Sequence, residues 1–193
     1  MTVTLVTGGI RSGKSRHAET LASGGSDVTY VATGPLDGGT DADWTRRLAL
    51  HRERRPSGWS VLETLDAAGV LAVQEGMVVV DCLGTWVTGL VDEAALWDDL
   101  DAATELLEAA TDRLRDALAT TRADVVVVTN EVGFAPVATT PSGRWFQDAL
   151  GRVNAGIASR ADRVHLVVAG RVFDLSDAPV VPRPTPSAWR SAR

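Results

Sequence analysis

Gly8-Gly9-Ile10-Arg11-Ser12-Gly13-Lys14-Ser15 fits the pattern G-x-x-x-x-G-K-[ST] at every fixed position. This is the signature of a phosphate-binding P-loop. Glycines let successive backbone N–H groups turn inward around phosphate oxygens. Lys14 is the only lysine in a chain that otherwise carries its positive charge on arginine. Its compact ammonium on a flexible stem can follow the β- and γ-phosphates. The hydroxyl of Ser15 is placed to bind Mg²⁺. The flanks agree with the motif. Thr2 to Thr7 is short, β-branched and apolar, as a buried strand should be. Ser15 to Ala22 reads as a helix, completing the strand–loop–helix context that a P-loop requires.

Working outward, apolar runs alternate with helical periodicity. Val28–Ala32, Met77–Val80, Val125–Val128 and Val164–Val168 read as further strands, and Arg171–Leu175 as a return strand in a hairpin around Gly170. Helices are expected at about 41–54, 65–74, 84–91, 94–120 and 142–160. Continuous valine runs, rather than alternating ones, suit strands buried on both faces. The predicted fold is α/β: a mainly parallel, doubly wound sheet of P-loop NTPase (RecA-like) type, with an antiparallel edge hairpin. Residues 1–175 are expected to form a single nucleotide-binding domain, followed by a Pro-rich tail over 176–193 that is extended or packed on a neighbour.

Bulk properties narrow the function. A length of 193 residues is enough for one full core, and a formal net charge of −6 argues against a broad nucleic-acid footprint. Cys82 is the single cysteine, which leaves no internal disulfide and no multi-cysteine zinc site. No leader and no run of membrane-spanning length is read from the chain, so a soluble cytoplasmic protein is expected.

Ligands in such sheets bind beyond the carboxyl ends of the strands, where Thr33, Asp81 and Glu131 fall with the P-loop. Asp81 closes the run Met-Val-Val-Val-Asp and is expected at the tip of the strand beside the P-loop strand, the Walker-B position, where it would serve Mg²⁺. The other reading is a cap for the following helix. His51 has Arg47 four residues back and Arg54 and Arg55 three and four ahead, so on a helix all would surround the imidazole. Crowded guanidiniums would keep it neutral and nucleophilic while neutralising phosphates. A solvated basic helix face with an incidental histidine gives the same pattern. Glu63 reads either as a base-reading acid or as a solvent-facing strand residue. Glu131 would orient a nucleophile or a metal-bound water, or only cap the next segment. His17 and His165 read as structural.

Taken together, these segments resemble the bifunctional adenosylcobinamide kinase / adenosylcobinamide-phosphate guanylyltransferases of cobalamin biosynthesis. The resemblance runs from Val6–Glu19 through Tyr30–Thr33, the stretch Arg47 to Pro56 with Trp59 and Glu63, Asp81–Thr88, Val128–Gly133, Phe146–Asp148, Gly151–Asn154 and Leu166–Gly170. It implies phosphorylation of adenosylcobinamide by a nucleoside triphosphate, ATP or GTP. It also implies guanylylation of His51 by GTP and passage of GMP to adenosylcobinamide phosphate. By the match, Gly8, Gly9, Ile10, Arg11, Ser12, Gly13, Lys14 and Ser15 hold phosphates. Thr33, Gly34 and Pro35 contact the nucleotide. Arg52, Glu53, Arg54 and Arg55 line the guanylyl site, with Glu63 and Asp81 as further contacts. Catalytic duty falls on His51, Lys14 and Asp81, and metal duty on Ser15 and Asp81. A homotrimer acting on a small-molecule corrinoid is implied, with neither nucleic acid nor membrane as partner. The loop Phe134–Ser142 departs from the family pattern. The alternatives are a RecA-like ATPase acting on a macromolecular partner and a monofunctional guanylyltransferase. A GTPase switch is disfavoured, because its Asn-Lys-x-Asp motif needs a second lysine and the chain has one.

Overall fold

The structure is a computed structural model and describes residues 1–25, 27–34, 46 and 56–181. Seven strands form one sheet: β1 (Val3–Gly8), β2 (Val28–Ala32), β3 (Ser60–Glu63), β4 (Met77–Asp81), β5 (Asp124–Val128), β6 (Arg163–Val168) and β7 (Arg171–Asp174). Their spatial order is β3-β2-β4-β5-β1-β6-β7. All neighbours are parallel except β6 and β7. The described helices are α1 (Lys14–Ala22), α2 (Ala67–Val73), α3 (Leu83–Glu93), α4 (Leu100–Thr120) and α5 (Pro141–Ala158).

The valine runs are continuous because both sheet faces are covered. Val3, Leu5, Val78, Val80, Val125 and Val127 pack into a core that includes Leu83, Leu107, Leu114, Leu150 and Ile157 from α3, α4 and α5. Alternate residues Val6, Val79, Val126 and Val128 face the other way, against Ala18 and Ala22 of α1. The two-residue strand period thus feeds two cores rather than a core and a solvent face. In α4, Ala103, Leu107, Thr111, Leu114 and Leu118 are buried at helical spacing, giving one stripe against the sheet side.

The sequence expectations hold for the fold class, the strands at 28–32, 77–80, 125–128 and 164–168, and the hairpin. The hairpin turn has positive φ at both Ala169 (49°) and Gly170 (74°), the backbone of a tight two-residue turn. The reading of Glu63 as a solvent-facing strand residue fits, since Ser60–Glu63 is a strand at the exposed edge of the sheet beside β2. Two expectations need correction. The helix expected over 94–120 begins at Leu100, because Ala95 adopts φ 53° and Asp99 caps the helix by accepting from Ala102 N at 3.0 Å. In addition, β4 is not the neighbour of β1, since β5 lies between them. Of the helix expected over 41–54 only Arg46 is described, as helical, and the tail beyond residue 181 lies outside the described residues.

Candidate nucleotide site

The P-loop joins β1 to α1, and its backbone explains each glycine that matters. A Cβ on Gly8 would collide with the carbonyl of Val167 on β6 and lie 2.7 Å from Ser12 Oγ. Gly13 caps α1 with φ 103°, a left-handed conformation that favours glycine. Arg11 also turns left-handed, at φ 58°. The loop is braced from one side by the β6–β7 turn, where Gly170 N donates to Ser12 O at 2.9 Å. Ser12 Oγ is buried and has no hydrogen-bond partner among the described residues. A buried hydroxyl left unpaired costs stability, and a phosphate oxygen in the loop would satisfy it.

Lys14 is the first residue of α1, and its Nζ donates to Gly9 O at 3.3 Å, folded back over the loop. Burial lowers its pKa, opposed by the charges of Cys82 and Asp81. The Lys14 ammonium and the Asp81 carboxylate therefore belong to one electrostatic unit, although their strands are separated by β5. Asp81 is half-buried and accepts from Tyr30 Oη at 2.7 Å. The next residue, Cys82, follows a cis peptide bond and caps α3. Burial pushes its thiol pKa up, and the Asp81 charge pushes it further.

On the side facing β4, the strand that borders β1 is β5, and the residues following it are tied to the P-loop root. Thr129 N donates to Val6 O at 2.9 Å, and Glu131 N donates to Gly8 O at 3.1 Å. Thr7 Oγ1 donates to Glu131 Oε2 at 3.2 Å. Behind them, Thr129 Oγ1 donates to Asn154 Oδ1 at 2.6 Å, and Asn154 Nδ2 donates to Asn130 O at 3.0 Å. The segment after Glu131 is pinned by Gln147, which donates to Val132 O and Pro136 O and accepts from Ala138 N. Arg144 donates to the carbonyls of Ala138 and Thr139. This tethered loop holds Phe134 and Val137 about three-quarters exposed, and Ile10 of the P-loop is equally exposed.

Of the other expected site residues, Thr33 is buried, and its hydroxyl donates to Cys82 O at 2.7 Å and lies 2.9 Å from Thr85 Oγ1. Gly34 follows it at the carboxyl edge of β2. Glu63 ends β3 in an exposed position, on the same edge. Ser15 is half-buried in the first turn of α1. Pro35, Arg47, His51, Arg52, Glu53, Arg54 and Arg55 lie outside the described residues. His17 and His165 pair, Nε2 to Nδ1, at 2.9 Å, linking α1 to β6. Sequence reasoning missed Tyr30, Thr7 and Asn154 as supports. The available signal was weak: a lone aromatic in β2, a threonine before Gly8, and an asparagine among the apolar positions of α5.

A P-loop on a parallel sheet, with a lysine and an acid converging at the carboxyl edge, defines a P-loop protein built to bind nucleotide phosphates. The fold is shared with solved P-loop ATPases. One is the assembled ATPase EscN of the enteropathogenic E. coli type III secretion system, with a TM-score of 0.52 and 9% identity over 87% of this chain. Another is a prototypical type III secretion ATPase from pathogenic bacteria, with a TM-score of 0.51 and 9% identity over 98% of this chain. The chain spans 43% and 60% of those two proteins, and the likeness concerns the fold alone. Residues 4–175 match the family described as "Cobinamide kinase / cobinamide phosphate guanyltransferase". The "Bifunctional adenosylcobalamin biosynthesis protein CobU" of Salmonella typhimurium is 36% identical over 184 residues, covering 86% of this chain and 95% of that protein. Its Escherichia coli namesake is 37% identical, with the same coverage of both chains. The Pseudomonas aeruginosa protein of the same description, CobP, is 35% identical over 91% of this chain and 98% of its own. The chain belongs to the cobinamide kinase / cobinamide phosphate guanyltransferase family and is a transferase of that class.

Proposed function

We propose that this enzyme phosphorylates adenosylcobinamide with ATP or GTP and then moves GMP from GTP, through a covalent bond to His51, onto adenosylcobinamide phosphate. The products of the second reaction are adenosylcobinamide-GDP and pyrophosphate. The observation that carries the reading is the intact P-loop whose Lys14 shares its electrostatic environment with Asp81. In the kinase step, the P-loop amides and Lys14 hold and neutralise the phosphates, so that catalysis is chiefly positioning and charge stabilisation. The exposed Phe134, Val137 and Ile10 flank this site and suit the apolar rim of a corrinoid.

Mg²⁺ fits the donors at this edge, since the Ser15 hydroxyl and the Asp81 carboxylate are hard oxygen ligands. Among the described residues no three His, Cys, Asp or Glu side chains gather into a metal site. Ser15 and Asp81 would share the ion with substrate phosphates, as Mg²⁺ commonly requires. When bound, it neutralises phosphate charge. In the transferase step a neutral His51 imidazole attacks the α-phosphorus of GTP, a P–N bond forms and pyrophosphate leaves; the O-phosphate of the corrinoid then displaces the histidine. Arg52, Arg54 and Arg55 would stabilise the charge on the transferring group, and Glu53, Glu63 and Pro35 would border the nucleotide. We place the protein in the cytoplasm as a homotrimer. No described helix is long and apolar enough to cross a membrane.

Incubation with α-labelled GTP, followed by denaturing electrophoresis, tests the reading. The wild type should retain label that is acid-labile and alkali-stable, as expected of a phosphoramidate. His51→Ala should retain none, yet still phosphorylate adenosylcobinamide. Label surviving in His51→Ala, or label that withstands acid, would overturn the assignment. Steady nucleotide hydrolysis without any corrinoid would point to an ATPase instead.

A further inference from the structure

The strand order separates Asp81 from the P-loop strand and gives the position between them to β5. The first acid beyond the carboxyl end of that strand is Glu131, three residues past Val128. We infer that Glu131 is the general base of the kinase half-reaction, taking the proton from the corrinoid hydroxyl as it attacks the γ-phosphorus. The inference rests on the kinase activity proposed above.

Three observations converge on this carboxylate. Its backbone is anchored to the first residue of the P-loop, through Glu131 N to Gly8 O at 3.1 Å. Its Oε2 is held by the hydroxyl of Thr7, the residue before Gly8, at 3.2 Å. Its Oε1 accepts no hydrogen bond among the described residues and lies 3.9 Å from where a Cβ on Gly133 would stand. The glycine leaves the approach to this oxygen uncluttered. One oxygen fixed and one available is the arrangement of an oriented base. Thr7 orients the side chain, and Asn154 holds the two residues before it, through Thr129 Oγ1 and Asn130 O. The loop that follows Glu131 displays Phe134 and Val137 to solvent while Gln147 and Arg144 hold its backbone. An acceptor resting on that loop would bring its hydroxyl to the same edge as the phosphates.

The acceptor oxygen forms a bond to the γ-phosphorus, and its proton passes to Glu131 Oε1. The bond from the γ-phosphorus to the bridging oxygen breaks, and the electron pair leaves with the nucleoside diphosphate. Glu131 then returns the proton to water.

The test is kinase kinetics with γ-labelled nucleotide and cobinamide, alongside nucleotide affinity measured without acceptor. Glu131→Gln keeps shape and loses the basic oxygen. Its kcat should fall roughly 10²- to 10⁴-fold, with KM and nucleotide affinity held near the wild-type values. Thr7→Val should give a smaller loss of kcat, roughly tenfold, and Thr7→Ser should restore it. Three results overturn the assignment: kcat retained in Glu131→Gln, a loss recovered by excess Mg²⁺, or a loss confined to KM. Should Glu131→Gln fail to fold, the Thr7 pair decides, equal rates in Thr7→Val and the wild type counting against the base. A wild type without kinase activity would instead refute the kinase reading itself.

Discussion

The hydroxyl of Tyr30, in the middle of β2, donates to Asp81 Oδ2 across 2.7 Å. The ring is buried in the smaller of the two cores and stacks on Trp59, with centroids 6.4 Å apart. An aromatic side chain of one strand therefore sets the carboxylate of its neighbour at the edge where phosphates bind.

Tyr30→Phe removes that hydrogen bond while keeping the aromatic ring. A hydrogen bond to a charged group contributes roughly 1.5–3 kcal/mol, so chemical denaturation should show a loss of that order. The loosened Asp81 should raise the Mg²⁺ concentration needed for half-maximal kinase activity. A variant as stable as the wild type, with the same Mg²⁺ titration, would mean that Tyr30 does not position Asp81.

Lys14→Ala deletes the one ammonium of the P-loop. Nucleotide affinity should weaken by roughly 1.5–3 kcal/mol, the range for a charge-assisted hydrogen bond, and phosphorylation should fall with it. Isothermal titration with a non-hydrolysable triphosphate measures the first effect directly. Unchanged affinity would remove Lys14 from the phosphate site.

Asn154→Leu should cost roughly 1–3 kcal/mol, because the fully buried hydroxyl of Thr129 and the carbonyl of Asn130 both lose their partner. The loss should appear in urea unfolding. The freed end of β5 should also lower kinase turnover more than nucleotide affinity. Equal stability would show that these groups find water instead.

The His17–His165 pair predicts a pH dependence. Burial depresses the His17 pKa below its ordinary 6.5, and the neighbouring His165 depresses it further. The unfolded chain then binds a proton that the folded chain resists. The His17 contribution is thus fully present above pH 6.5 and is lost as pH falls from 6.5 towards the depressed folded value. Asp174 sits 3.9 Å from His165 Nε2 on the far side of the pair. Melting temperatures across this range should decline less in His17→Gln than in the wild type. Parallel curves would assign the decline to other groups.

The P-loop was legible because its chemistry demands fixed residue types at fixed spacing. The parallel sheet was legible because strands buried on both faces read as unbroken valine runs. Strand order was not, since Met77–Asp81 and Asp124–Val128 present nearly the same apolar run, and only long-range pairing decides which lies beside β1. The false start of α4 has a local cause: Ala94, Ala95 and Leu96 continue the apolar period, but the backbone turns left-handed at Ala95. At the site, the carboxyl-edge positions of Asp81 and Glu131 could be read from where their strands end. Their partners Tyr30 and Thr7 could not, because contact across a sheet depends on register and on which face each residue takes. The recognition of His51 rests on sequence, as that segment lies outside the described residues.

The solitary lysine has a practical consequence. Apart from the α-amine, the chain offers an acylating reagent a single amine. That amine is made less basic by its burial in the phosphate cradle, so a larger share of it is unprotonated near neutral pH. Labelling at Lys14, scored apart from the α-amine, should then report molecules whose cradle is empty, and saturation with a triphosphate should suppress it. Mass spectrometry of the peptide that carries Lys14 would read fractional occupancy without an engineered reporter.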